Sequence, residues 1–155
     1  MEKMKRIYIA GPMAGVKDHN RPEFDEHAKR LRALGWAVEN PVDIGDRFGT
    51  PEEIDADTIL LRRLVAFEIE TLKTCDALFL LAGWEFSAGT RAEIAAAIAA
   101  NLSIYVQKVY GVLPRPDDPP PTLLAEKTDI IRFEIDTYNR AIAAANHGNI
   151  DRLTN

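Results

Sequence analysis

The chain has 155 residues, 46% hydrophobic and 28% charged, which suits one compact domain and is too short for two of ordinary size. Nineteen Lys and Arg against 24 Asp and Glu leave a net charge of −5, which excludes a broad basic surface for a nucleic-acid polymer. The single cysteine, Cys75, excludes an internal disulfide and, set in an apolar run, reads as a small buried hydrophobe in a reducing compartment.

In chain order, short apolar runs alternate with longer amphipathic segments, the pattern of a parallel sheet with crossover helices. Lys3, Lys5 and Arg6 ahead of IYIAGPMAGV imitate a secretory signal, but Gly11-Pro12 breaks the stretch and no A-x-A site follows. Ile7 to Ala10 is the first predicted strand. A helix is predicted from Asn20, with Asn as cap, Pro22 in the first turn and Phe24, Ala28, Leu31 and Leu34 on one face up to Gly35. Trp36 to Glu39 reads as a second strand closed by Pro41. Residues 41–56, with Gly45, Gly49, Pro51 and five acids, read as a mobile loop over one end of the sheet. A helix of about four turns carries Ile59, Leu60, Leu64, Phe67 and Leu72. Ala77 to Leu81 is continuously apolar, as a strand covered on both faces must be. Ala88 to Ala100 is an alanine-rich helix and Ser103 to Val106 a fourth strand. The tract PRPDDPPP at 114–121 is stiff and leads to a last helix with Ile131, Ile135, Tyr138 and Ile142 in a stripe, fraying near His147-Gly148. The fold expected is a single α/β domain over 1–155, a Rossmann-like (flavodoxin-like) doubly wound parallel sheet of four to five strands. No apolar run approaches the roughly 20 residues of a membrane helix, so a soluble cytoplasmic protein is expected.

Ligands of such sheets bind outside the carboxyl ends of the strands. The loop after the first strand, AGPMAG, offers Gly11, Pro12, Met13 and Gly15. The loop after the third, AGWEFSAGTRAE, places Ser87, Gly89 and Thr90 at a helix start. Small residues there either expose backbone N–H groups to an anion such as phosphate or simply make turns. Glu93, about a turn into that helix, either complements the helix dipole or supplies the carboxylate that attacks an anomeric carbon. Trp84 and Phe86 on the same loop either stack on a base or pack in the core.

IYIAGPMAG, CDALFLLAGW and SAGTRAE at 87–93 together resemble the nucleoside 2-deoxyribosyltransferase superfamily over roughly residues 5 to 107. Within it the chain looks most like a small, phage-associated branch and the deoxynucleoside 5′-monophosphate N-glycosidases. The resemblance implies that Glu93 is a nucleophile forming a glycosyl-enzyme, that Tyr8 holds it, and that Gly89 matches the glycine four residues before it. It implies that Ser87, where transferases of free nucleosides carry Asp, faces a 5′-phosphate. Ser can donate to a phosphate that Asp would repel, which favours hydrolysis of a monophosphate over transfer. Pro12 and Ala14 stand where the monophosphate glycosidases have Ser and Arg, so a charged anchor is missing there. Arg91 either replaces it or faces solvent. Glu68, eight residues ahead of Asp76, corresponds to the acid that assists the departing base, or is a solvated helix carboxylate beside Glu70. Asp76 heads the third strand, where it caps or orients. The resemblance also implies a homodimer or higher homo-oligomer, whose second subunit completes the pocket.

No metal or other cofactor is called for. His19, His27 and His147 are not at metal-ligand spacing with one another or with Cys75, and neither a dinucleotide fingerprint nor a P-loop occurs. The expected partner is a small nucleotide or nucleoside. Two rivals remain: a nucleotide-sensing module in which Glu93 is structural, and a phosphoribohydrolase like the cytokinin-activating family, whose P-G-G-x-G-T-x-x-E motif has a double glycine absent here.

Overall fold

The computed structural model describes residues 3–107. The expected proline tract and last helix lie outside the described residues. Four strands, β1 (Arg6–Ala10), β2 (Ala37–Glu39), β3 (Ala77–Leu80) and β4 (Ser103–Val106), form one parallel sheet in the order β2-β1-β3-β4. The order starts at β1, steps one way to β2 and returns past β1 to β3 and β4, so the winding reverses between β1 and β3. This is the doubly wound α/β fold expected from the sequence.

Alternation along β1 divides the molecule into two layers. Ile7 and Ile9 pack with Phe24, Ala28 and Leu31 of α1 (Arg21–Ala33) and with Phe79. Tyr8, between them and fully buried, faces the other layer, where α4 (Thr58–Lys73) packs on α5 (Ala88–Ala99). β1 and β3 are buried along most of their length, as central parallel strands require.

The structure corrects several expectations. Residues 41–56 are not a loop: they form α2 (Pro41–Asp46) and α3 (Pro51–Ala56). Each begins with Pro at the first helical position behind a capping side chain. Asn40 accepts from the Val42 N–H at 3.1 Å, and Thr50 accepts from the Glu53 N–H at 3.2 Å. Leu34 lies beyond the last turn of α1 and is exposed, while His27 takes a place on the buried face, its ring 5.7 Å from that of Phe79. Asn20 does not cap α1 with its side chain: its backbone is left-handed and its Nδ2 donates to the Pro12 carbonyl at 2.9 Å.

On α4 only Leu64 and Leu72 of the expected stripe are buried, and Ile59 and Phe67 are exposed. Sixteen helical residues span about 24 Å, whereas the four residues of β3 span about 13 Å, so the first turns of α4, with Ile59, overhang the carboxyl ends of the strands. Phe67, further along the helix, meets Phe48 at 5.6 Å, with the Arg47 guanidinium 5.6 Å from its ring. Among the described residues no helix is long and apolar enough to cross a membrane.

Candidate active site

The overhang of α4, the first loop and the α2–α3 segment enclose a cleft of about 220 Å3 at the carboxyl end of the sheet. Met13 and Ala14 line it from the first loop, Val42 from α2, Ile54 from α3, and Leu64 and Glu68 from α4. Just behind it Tyr8 Oη donates to Glu93 Oε1 at 3.3 Å. Three residues far apart in sequence meet here because β1 lies under both α4 and α5.

Their electrostatics are coupled. Burial, and then repulsion from Glu68, push the Glu93 carboxyl up to about 8, against the lowering effect of the Tyr8 hydrogen bond. Burial alone raises Glu68 to about 7. Burial and both carboxylates hold the Tyr8 phenol well above its ordinary value, so it remains a hydrogen-bond donor. Two half-buried acids and one buried phenol are thus brought together with protons to share at neutral pH.

The second loop is held from several sides. Ser87 caps α5, its Oγ accepting from the N–H of the buried Thr90 at 3.2 Å, which leaves the hydroxyl hydrogen to donate. Gly89 is open, and a Cβ there would meet only Ser87 Oγ at 4.0 Å. Trp84 is buried beneath the turn and Phe86 is exposed, so the aromatic pair is split and Trp84 packs. Arg91 is exposed, and its Nη2 donates to the Glu85 carbonyl at 2.6 Å, which leaves other guanidinium N–H groups to donate.

Other expected site residues have different places. A Cβ on Gly11 would stand 2.7 Å from Leu81 Cβ, so this glycine answers to the close approach of β1 to β3. Gly15 makes a turn at φ +77°. Pro12 abuts Gly83, joining the two loops, and Met13 reaches the cleft. Asp76 is not brought to the site: at the amino end of β3, opposite the cleft, its Oδ2 accepts from the Arg6 N–H at 2.8 Å. The Arg6 guanidinium there binds Glu39 and Thr74. Cys75 is buried, and burial pushes its thiol up to about 11, where it is no nucleophile. Among the described residues no three His, Cys, Asp or Glu side chains are grouped to hold a metal ion.

Three cleft residues escaped sequence reasoning. His19 lies on the cleft wall in a left-handed turn formed by Asp18, His19 and Asn20, with φ of 53°, 52° and 59°. Arg21 and Asp46 line the same wall and form a two-point pair at 3.1 and 2.7 Å, which holds the Asp46 carboxyl below its ordinary value. The signal for the turn is present as D-H-N, the three non-glycine types most at ease at positive φ.

A family model described as a domain of unknown function, DUF4406, matches residues 5–106, a span that takes in β1 through β4. The chain belongs to this family. Among solved structures, the CMP N-glycosidase BcmB of Clostridium botulinum is 24% identical, with 66% of this chain and 67% of that one covered and a TM-score of 0.42. No curated protein matches the chain. In this DUF4406 domain the matched span contains all three members of the Tyr8, Glu68 and Glu93 cluster.

Proposed function

We propose that the chain hydrolyses the N-glycosidic bond of a (deoxy)nucleoside 5′-monophosphate. The observation that carries this reading is the Tyr8 hydrogen bond to Glu93 beside Glu68: a positioned carboxylate, a donor that orients it and a second acid poised to give up a proton. Ionised Glu93 attacks C1′, and the C1′–N bond breaks as the oxocarbenium-like charge develops against the carboxylate. Glu68 passes its proton to the departing base. Water, activated by the Glu68 carboxylate, then attacks C1′ of the glycosyl-glutamate, returning Glu93 and releasing the sugar phosphate. Tyr8 steadies the Glu93 oxygen that is not reacting.

The phosphate fits at the start of α5, where the Ser87 hydroxyl and the unobstructed backbone beside Gly89 meet the positive end of a 12-residue helix. The resemblance of the three motifs to the deoxynucleoside monophosphate N-glycosidases supports the same reading. Homo-oligomerisation belongs to this proposal as an expectation taken from that resemblance.

The experiment is incubation with a panel of nucleoside and deoxynucleoside 5′-monophosphates, with free base measured by chromatography. Release from at least one monophosphate, lost by more than about a thousandfold in Glu93→Ala, is expected. Release that survives Glu93→Ala removes the mechanism. Stabilisation by nucleotides with no release over hours favours a sensor instead.

A further inference from the structure

The part of the cleft lined by His19, Arg21 and Asp46 has features that fold stability does not account for. Arg21 occupies the first position of α1, where the positive end of the helix disfavours a cation, and its partner Asp46 ends α2. Both are close to half exposed, so the pair itself adds little to stability. The backbone leading into it is strained. Three successive non-glycine residues at positive φ are a costly arrangement, kept here by the Asn20 side chain on the Pro12 carbonyl and the His19 N–H on the Val16 carbonyl at 3.0 Å. The outcome of that strain is geometric: His19 and Arg21 both reach the cleft.

The cleft is open to solvent, and its volume of about 220 Å3 gives room for a ring system, with the rest of a larger ligand free to extend outward. Arg21, the one Lys or Arg on its lining, is paired with Asp46, so no free guanidinium or ammonium is left there for an anion beside Asp55, while Met13, Val42 and Ile54 offer apolar surface to the faces of a ring. Asp46 engages both terminal nitrogens of Arg21 and fixes the plane of the guanidinium, which keeps further N–H donors in a set direction.

We propose that His19 and the Arg21–Asp46 pair form the recognition edge for an uncharged planar heterocycle bearing both donors and acceptors, the departing base of the reaction above, and that they decide which base is accepted. The assignment of the heterocycle as a leaving group rests on the proposed glycosidase reading. The recognition edge itself does not need catalysis and is tested without it.

The probes are six free bases, uracil, thymine, cytosine, adenine, guanine and hypoxanthine, with binding measured by calorimetry on wild type, His19→Gly and Arg21→Ala. His19→Gly is informative because glycine relaxes the positive φ, so the melting temperature should hold or rise while affinity for the preferred base falls about tenfold. Arg21→Ala is expected to change the ranking of the bases. If wild type binds none of the six, or if both variants keep its affinities and ranking, the inference is overturned, even where base release from nucleotides is observed. Binding that depends on His19 and Arg21 supports it, even where no nucleotide is cleaved and the glycosidase reading fails.

Discussion

Glu93 and Glu68 share one buried corner behind Tyr8, so at neutral pH the pair holds on to protons that ordinary surface glutamates would have lost. In the proposed reaction Glu93 must be ionised and Glu68 protonated. A bell-shaped pH profile of kcat/KM is expected, with limbs near 7 and 8 that belong to the pair and not to either residue alone. The same shift has a stability consequence of definite sign. The folded value of about 8 lies above the ordinary 4.5, so the stabilising preference for the protonated carboxyl is fully present below 4.5 and is lost as pH rises through 8. Glu93→Gln abolishes that loss. Its melting temperature relative to wild type should be unchanged near pH 4, climb with pH, and level off above 8, read by thermal unfolding across a pH series. A gain independent of pH would show that the carboxyl is not the cause.

Among the elements, the α2–α3 segment carries the clearest lesson. Its composition of glycine, proline and acids resembles that of a loop, yet Asn40-Pro41 and Thr50-Pro51-Glu52-Glu53 are helix starts, the second with glutamate three residues after a capping threonine. The helices are too short for amphipathic periodicity to register, so capping was the only legible signal. α3 stands on its Thr50 cap and on the burial of Ile54. Thr50→Ala should therefore cost about 1 kcal/mol in urea unfolding, and Thr50→Ser should restore most of it. The overhang of α4 was illegible for a different reason. Its apolar residues were visible, but whether they meet the sheet or project past it depends on the length of strands that lie elsewhere in the chain.

At the scale of the whole molecule, the parallel pairing of β1 with β3 is where the two loops and both layers are fixed. Gly11 permits the close approach of the two chains just past the strand ends. Gly11→Ala should destabilise the protein by about 2–3 kcal/mol in urea unfolding, because the new Cβ would stand 2.7 Å from Leu81 Cβ. Leu81→Ala should not rescue it, since alanine keeps the offending carbon. The glycine-rich first loop thus has two roles that the sequence could not separate: Gly11 serves packing, while Met13 and Ala14 face the cleft.

The sequence by itself determined the alternation of strand and helix, the parallel sheet, the two loops at its carboxyl end, and Tyr8 and Glu93 as candidates. The fold features follow from periodicity and chain punctuation and Glu93 from its place early in a helix, all of them local, while Tyr8 is implied by the resemblance of the motifs. Only the tertiary structure placed Glu68 and Glu93 beside Tyr8, with pKa values raised by burial, and set Asp76 at the opposite end of the sheet. It alone brought His19, Arg21 and Asp46 to one wall. Burial, and the distance between charges on separate helices, are properties of packing across the sheet, and no spacing along the chain encodes them.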